Sequence, residues 1–301
     1  LTLFPYTTLF RSHDMARLAE FIRELNVVYQ RVLGEGKIPT GALLAVGALP
    51  SEMVHAEIAA GGLQITVAMD NCANQLVLYG EREAVASVQA RLVAIGGICM
   101  PLPFDRGFHT PAFGAVSTAF RDYYKSIKLG APSVPLYSCA SAGLFPTAPT
   151  AVRKLAAAQW SSTVRFRETV LQMVADGVRC FVEVGPSANL SAFVGDILAD
   201  QPHLALATNV RRKHGLEQLL MTLAQLWAHG RPVELGRLYA TRRIAPLDLD
   251  ADAAPPRVGV LLDNTMPTLR LSDEDRAAIR ALAATGAADA VPSAPAPASA
   301  P

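Results

Sequence analysis

Between Gly41 and Leu102 the chain alternates two kinds of apolar segment in a fixed order, and that order restricts the possible folds more than any other feature. Ala42 to Val46 is a short unbroken apolar run of strand length. Pro50-Ser51-Glu52 opens a short helix to about Ala60. Leu63 to Met69 and Gln75 to Tyr79 are two strands, and Asp70-Asn71-Cys72-Ala73-Asn74 supplies the turn residues between them. Glu81 to Ile95 is an amphipathic helix with Val85, Val88, Leu92 and Val93 on its inner side, and Ile98 to Leu102 is a final strand. The order is β-α-β-β-α-β.

This is the ferredoxin-like plan, a split pair of β-α-β units sharing one sheet. Unrelated functions use it, so by itself it says nothing about activity. The flanking sequence is different in kind. Met15 to Val32 carries a helical stripe of Leu18, Phe21, Ile22, Leu25, Val28 and Tyr29, closed by Gly34, Gly36 and Pro39. After residue 109 helices and short strands alternate in an α/β manner. Ala115–Lys125, Ala151–Trp160, Thr169–Asp176 and Ala188–Leu198 read as helices, and Pro135–Cys139 and Cys180–Val184 as strands, the second of them buried. Leu216 to Trp227 places Leu216, Leu219, Leu220, Leu223, Leu226 and Trp227 on one side, a stripe that core packing accounts for.

Both ends of the chain read differently from this body. Residues 1–13 lack periodicity and the basic region of a signal peptide, and they resemble translated sequencing-adapter DNA. They are set aside as a non-native segment, and the chain reads as amino-terminally truncated. Beyond Gly230 prolines replace periodicity, so 232–287 is a linker with one helix, started by Ser272-Asp273-Glu274-Asp275 and running to about Ala283. Residues 288–301 are rich in Ala, Pro and Ser, the composition of a flexible linker to something further on.

With 301 residues the chain has room for one large domain or two modest ones. A net charge of +1, with no basic run longer than Arg211-Arg212-Lys213, argues against electrostatic binding to nucleic acid or a membrane surface. No stretch approaches the roughly 20 apolar residues of a membrane helix. Cys72, Cys99, Cys139 and Cys180 show no paired spacing, which suits free thiols in a reducing cytoplasm. The six histidines are scattered, none at ligand spacing from another His or Cys, so no metal is expected.

One histidine stands apart. His109 lies in Gly107-Phe108-His109-Thr110-Pro111, a tight turn at the end of an apolar stretch, which suits a general base. A structural histidine is the other reading of such a residue. A base of this kind serves a nucleophile, usually on a Gly-x-Ser-x-Gly elbow. The sequence has no such elbow; its nearest string, Gly185-Pro186-Ser187-Ala188-Asn189, lacks the final glycine.

The order and spacing of several strings carry a family resemblance over residues 15 to 240. They are Gly41-Ala42-Leu43-Leu44-Ala45-Val46-Gly47, Asn71, Gly107-Phe108-His109-Thr110-Pro111, Val182-Glu183-Val184-Gly185-Pro186 and Leu226-Trp227-Ala228-His229-Gly230. Together they resemble the acyltransferase domain of modular polyketide and polyunsaturated-fatty-acid synthases, relatives of malonyl-CoA:acyl carrier protein transacylases. The resemblance implies an α/β fold: a partial α/β-hydrolase-like core, 14–39 and 104–231, with an inserted ferredoxin-like subdomain, 40–103. It also implies a Ser-His dyad that moves an acyl group from CoA to a carrier protein, with no cofactor beyond the CoA thioester and the carrier's phosphopantetheine. Acyl carrier protein, malonyl-CoA or a similar acyl-CoA, and neighbouring synthase domains are the implied partners.

Site residues follow from the same resemblance. His109 takes the base, and Gln159 matches the position whose backbone carbonyl orients it, although a helix-end glutamine needs no such role. Phe108 matches a residue that accompanies malonyl selection and equally suits core packing. Asn71 matches an asparagine near the acyl pocket, and asparagine also belongs in turns. Arg23 is the candidate for the malonyl carboxylate, with a solvated helix arginine as its second reading. Without a serine elbow the isolated chain is expected to be inactive and to expose apolar surface where further core strands would pack. A non-catalytic scaffold piece of a synthase is the competing reading. A ferredoxin-like binding module with a helical extension is a third, and it leaves the strings around His109 and Val182–Pro186 without a role.

Overall fold

A computed structural model describes residues 18–127, 134–240 and 271–284. The segments 1–13 and 288–301 lie outside the described residues. The chain divides into two compact units, 1–234 and 235–301. The larger is α/β, with a mixed five-stranded sheet, a two-stranded hairpin and a parallel strand pair.

The first unit opens with α1 (Leu18–Gly34), whose Phe21, Leu25 and Val32 are buried at helical spacing. Then come β1 (Ala42–Gly47), α2 (Ser51–Ala60), β2 (Ile65–Cys72), β3 (Gln75–Gly80), α3 (Arg82–Ala94) and β4 (Ile98–Pro101). These strands lie in the order β4-β1-β3-β2, each antiparallel to its neighbour. Leu44 pairs with Leu78 and Val46 with Leu76, all turned toward Val54, Val85, Val88 and Leu92 of the two helices. The alternate residues Leu43, Val77 and Tyr79 form a second apolar layer on the opposite face. A strand buried on both faces has no polar alternation, which is why Ala42–Val46 reads as an unbroken run.

Three sequence expectations need correction here, the first being that Val93 faces inward with Val85, Val88 and Leu92: it is 52% exposed. β2 does not end at Met69 but continues through Asp70 and Asn71 to Cys72, leaving only Ala73 and Asn74 to turn. Register shifts between Val67 and Met69 and between Asp70 and Cys72 are the cause, because bulges let a strand continue through residues that look like a turn. Strand 135–139 shrinks to β5 (Tyr137–Ser138), paired with β6 (Gly143–Leu144) around a reversal in which Ala142 has a φ of 49°.

After β4 a 3-10 turn (Pro111–Phe113) leads into α4 (Gly114–Lys125). α5 (Pro149–Ala158), with proline at its start where no intrahelical N–H is needed, ends in a second 3-10 turn (Gln159–Ser161). α1, α4 and α5 share one core of Phe21, Leu25, Phe113, Val116, Phe120 and Val152 with their neighbours. β7 (Val164–Arg165) joins the sheet as its fifth strand, parallel to β2, so the sheet is mixed. The Thr163 hydroxyl donates to the Val67 carbonyl at 2.9 Å beside this junction. α6 (Phe166–Ala175) follows, and its Arg167 donates twice to one oxygen of Asp70, at 3.2 and 2.9 Å.

The last part of the unit is β8 (Cys180–Glu183), α7 (Asn189–Ile197), β9 (Leu204–Ala207) and α8 (Gly215–Ala228). β8 and β9 pair in parallel, and Val170, Val174, Val194 and Leu198 of α6, α7 and its exit cover one side. The sequence predicts a buried β8 and a buried α8 stripe; both are corrected. Val182 and Val184 are exposed, Val184 to 86%, and so are Leu216, Leu220 and Trp227, the last to 68%. Of α8 only Thr222 is fully buried, its hydroxyl donating to the Ala207 carbonyl. Among the described residues nothing covers that side, so apolar periodicity alone does not bury it. In the second unit a 3-10 turn (Leu235–Leu238) and α9 (Asp273–Ala284) are described. Ser272 and Asp275 bond reciprocally at the start of α9, a capping pair.

Candidate active site

His109 sits between β4 and the first 3-10 turn, 5% exposed, with a φ of 62°. A side-chain-bearing residue avoids this left-handed backbone unless its surroundings fix it. Here three groups do so. The Thr110 hydroxyl donates to the Gly107 carbonyl at 2.7 Å and closes the turn. The His109 N–H donates to the Trp160 carbonyl at 3.0 Å. Its ring Nδ1 lies 2.9 Å from the Gln159 carbonyl.

The chain supplies those two carbonyls for a simple reason. The last carbonyls of a helix have no intrahelical donor, and the 3-10 turn that finishes α5 turns two of them toward residue 109. A carbonyl only accepts, so Nδ1 carries the proton and donates, and Nε2 is the basic nitrogen. Burial holds the imidazole pKa below its ordinary 6.5, and the bond to the Gln159 carbonyl opposes that shift in part. The ring is therefore neutral near pH 7, with a fixed tautomer. A general base requires both conditions.

The remaining sequence-chosen residues are dispersed around this centre. Gln159 is buried, and its side-chain amide donates to the Ala156 carbonyl at 2.8 Å, leaving the main-chain oxygen to face His109. Phe108 is half-buried with its ring 4.7 Å from that of Phe113, packed against the core of α1, α4 and α5. Asn71 is buried in β2 and its amide bonds to the Gln75 side chain across the hairpin, so it is a strand residue and not a turn residue. Arg23 lies on the exposed side of α1, away from the buried Phe21 and Leu25, and does not line the cavity at His109.

That cavity contains residues that nothing in the sequence singles out. His109 and Gln159 share it with Ser138, Cys139, Ser162 and Val164. Ser138 and Cys139 come from the two-residue strand β5 and its exit, within the segment the sequence reads as a strand but with nothing to mark them as cavity residues. The Ser162 hydroxyl donates to the Ala158 carbonyl at 2.8 Å, and Ser138 accepts from the Ala140 N–H at 3.2 Å. Burial raises the Cys139 thiol above its ordinary range, which keeps it protonated and unreactive. Among the described residues no group of three or more His, Cys, Asp or Glu is placed to hold a metal ion. Nor, among them, is any helix long and apolar enough to cross a membrane.

Comparison with known proteins follows the same outline. Residues 17–231 match the family described as acyl transferase domain. The spectinabilin polyketide synthase system protein NorB of Streptomyces orinoci is 26% identical over 206 residues, which are 66% of this chain and 9% of that protein. The malonyl CoA-acyl carrier protein transacylase of Bacillus subtilis is 26% identical over 163 residues, 54% of this chain and 50% of that one. The chain thus spans half the length, or less, of these relatives. The crystal structure of the acyltransferase domain from the second module of the salinomycin polyketide synthase has a TM-score of 0.57 at 29% identity, covering 69% of this chain and 50% of that one. The sequence from 17 to 231 and the fold agree: the chain belongs to the acyl transferase domain family.

Proposed function

We propose that the protein to which this chain belongs transfers an acyl group, malonyl in the first instance, from CoA to an acyl carrier protein during polyketide or fatty acid synthesis. The observation that carries this reading is the pair of bonds from His109 to the Gln159 and Trp160 carbonyls, which leaves a neutral, oriented imidazole with Nε2 as the base. In the first half-reaction a serine hydroxyl attacks the thioester carbonyl while Nε2 takes its proton. The C–S bond breaks and the CoA sulfur leaves with the proton from the imidazolium. In the second, the phosphopantetheine thiol gives its proton to Nε2, attacks the acyl-serine ester, and the serine oxygen leaves and recovers the proton. No cofactor enters beyond CoA and the carrier's prosthetic arm.

In this reading 14–39 with 104–231 belong to the larger, α/β-hydrolase-like subdomain. The strands in order β4-β1-β3-β2 with α2 and α3 are its ferredoxin-like insertion, 40–103. Phe108, set beside the base, limits the space for a branched acyl group. Asn71 and Arg23 keep the weaker roles that resemblance gives them, Arg23 requiring a different setting from its exposed place on α1. The free cysteines and the thioester chemistry suit the cytoplasm. Because the 301 residues hold no Gly-x-Ser-x-Gly, the isolated chain has nothing for His109 to activate, and we expect no turnover from it.

The test compares malonyl loading from radiolabelled malonyl-CoA by a protein that joins this chain to a serine-bearing acyltransferase segment, with His109 intact or as His109→Ala. We expect self-acylation and transfer to fall by about 10²–10⁴-fold in the variant. Equal rates would remove His109 from the reaction. Failure of any serine-bearing partner segment to restore transfer would favour the non-catalytic scaffold reading, which the missing elbow motivates.

A further inference from the structure

We infer that Tyr79 is a positioning residue for His109, a wedge through which the small antiparallel sheet fixes the turn that carries the histidine. Tyr79 lies near the end of β3, only 7% exposed, on the face of the sheet that looks away from α2 and α3. Two glycines flank its ring. A Cβ added to Gly107 would stand 2.7 Å from Cε1 and 2.8 Å from Cζ of Tyr79. A Cβ added to Gly41 would stand 2.7 Å from Cε2 and 2.8 Å from Cζ of the same ring. Both distances are far inside carbon–carbon contact, so the ring fills part of the space that each missing side chain leaves, beside the Thr110 hydroxyl at Gly107 and the Gly80 carbonyl at Gly41, each 2.6 Å from the added Cβ. The phenol hydroxyl donates to the Pro39 carbonyl at 3.3 Å, which anchors its tip as well.

The consequence reaches His109 in two steps along the chain. Gly107 contributes the carbonyl that the Thr110 N–H and hydroxyl both use to close the turn, at 3.2 and 2.7 Å. His109 lies inside that turn with its left-handed backbone. The turn is thus held by the ring of Tyr79 against Gly107 and by the carbonyls of Gln159 and Trp160 at His109. Remove the ring and the turn loses one of the groups that hold it, with room for Gly107 to move. The ring is one of two groups that exclude a side chain at 107; the other is the Thr110 hydroxyl, 2.6 Å from the added Cβ. This role matters for transfer only if His109 is the base, but the placement of the ring can be measured without any reaction.

The experiment uses the whole chain and nuclear magnetic resonance of the His109 Nδ1–H, whose exchange with water reports its bond to Gln159. We expect exchange at least tenfold faster in Tyr79→Ala and within about twofold of the parent in Tyr79→Phe, which keeps the ring. Val88→Ala, a cavity on the far side of the same sheet, controls for general loosening and should leave the exchange within about twofold at equal fraction folded. Exchange that is unchanged in Tyr79→Ala, or accelerated equally by Val88→Ala, would overturn the proposal. If Tyr79→Ala does not fold, Tyr79→Leu takes its place, and a cycle with Gly107→Ala gives a second reading. Gly107→Ala should shift the denaturation midpoint more when Tyr79 is present than in the Tyr79→Leu background, where the clash with the Thr110 hydroxyl alone remains; equal shifts would also overturn the proposal. Retention of these effects together with a His109→Ala variant that still transfers acyl groups would leave the wedge standing and remove the catalytic reading alone.

Discussion

The four-stranded part of the sheet with α2 and α3, and the β8–β9 pair with α8, are built from the same kind of apolar segment and end in opposite conditions. In the first, Leu44, Leu76, Leu78, Val54, Val88 and Leu92 close on one another from both sides. In the second, one side of β8 meets α6 and α7, while Val182, Val184, Leu216, Leu220 and Trp227 remain in water. The difference lies in how many faces of each sheet are covered. Every strand and helix of the first region falls between Ala42 and Pro101, so its hydrophobic pattern is satisfied locally. A parallel pair needs cover on both faces, and among the described residues α6 and α7 cover only one face of β8 and β9.

Stability measurements can break that comparison. Leu78→Ala should cost about 3 kcal/mol in denaturant unfolding, since its neighbours are fixed on every side and the cavity cannot collapse. A cost below about 1 kcal/mol would mean that the first region is as loosely packed as the second. Next in size is the link between the sheet and α6. Arg167→Ala leaves the half-buried Asp70 carboxylate without the cation that donates to it twice, and should cost about 2 kcal/mol. Asp70→Asn in the same background should recover part of this, and no recovery would mean that Arg167 acts by packing alone.

The pH dependence is smaller and carries a definite sign. Burial lowers the folded-state pKa of His109, so the unfolded chain binds the extra proton first. The contribution of His109 to stability is complete above about pH 6.5 and is lost as pH falls from there through the folded pKa, by at most about 1.4 kcal/mol per unit. His109→Gln should remove that slope from a stability–pH curve, and a slope that survives would have to come from other groups. Smallest of all, Val184→Ser should change stability by less than about 0.5 kcal/mol. It should lower binding of an apolar dye and raise solubility, because the side chain is already in water. A large loss of stability would instead show that β8 is covered in solution.

What the sequence discloses follows the same division. The β-α-β-β-α-β order is legible because each segment is an apolar run or periodic stretch of at least five residues, bounded by turn or helix-start residues. The end of β2 is not, since bulges carry the strand through Asp70, Asn71 and Cys72, residues whose chemistry favours turns. His109 stands out through its Gly and Pro neighbours, and resemblance points to Gln159. The contact itself joins a ring nitrogen to a main-chain oxygen 50 residues away, which no side-chain pattern encodes. Ser138 and Cys139 lie on the segment the sequence reads as a strand, but nothing in its pattern shows that they and Ser162 reach the same cavity. Tyr79 looks like one more apolar strand residue; only its fit between two glycines gives it a particular task.

The two carbonyls that hold His109 have a consequence for how this site tolerates genetic change. Both acceptors belong to the peptide backbone, so the alignment of the imidazole depends on the path of the chain and hardly at all on which side chains stand at 159 and 160. Gln159 is buried and Trp160 packs against Phe113 and Phe120, so a substitution at either acts through packing and not by removing the acceptor. A single-residue insertion or deletion between Val152 and Ser162 would rotate both oxygens away at once. The site is robust to spelling and fragile to spacing.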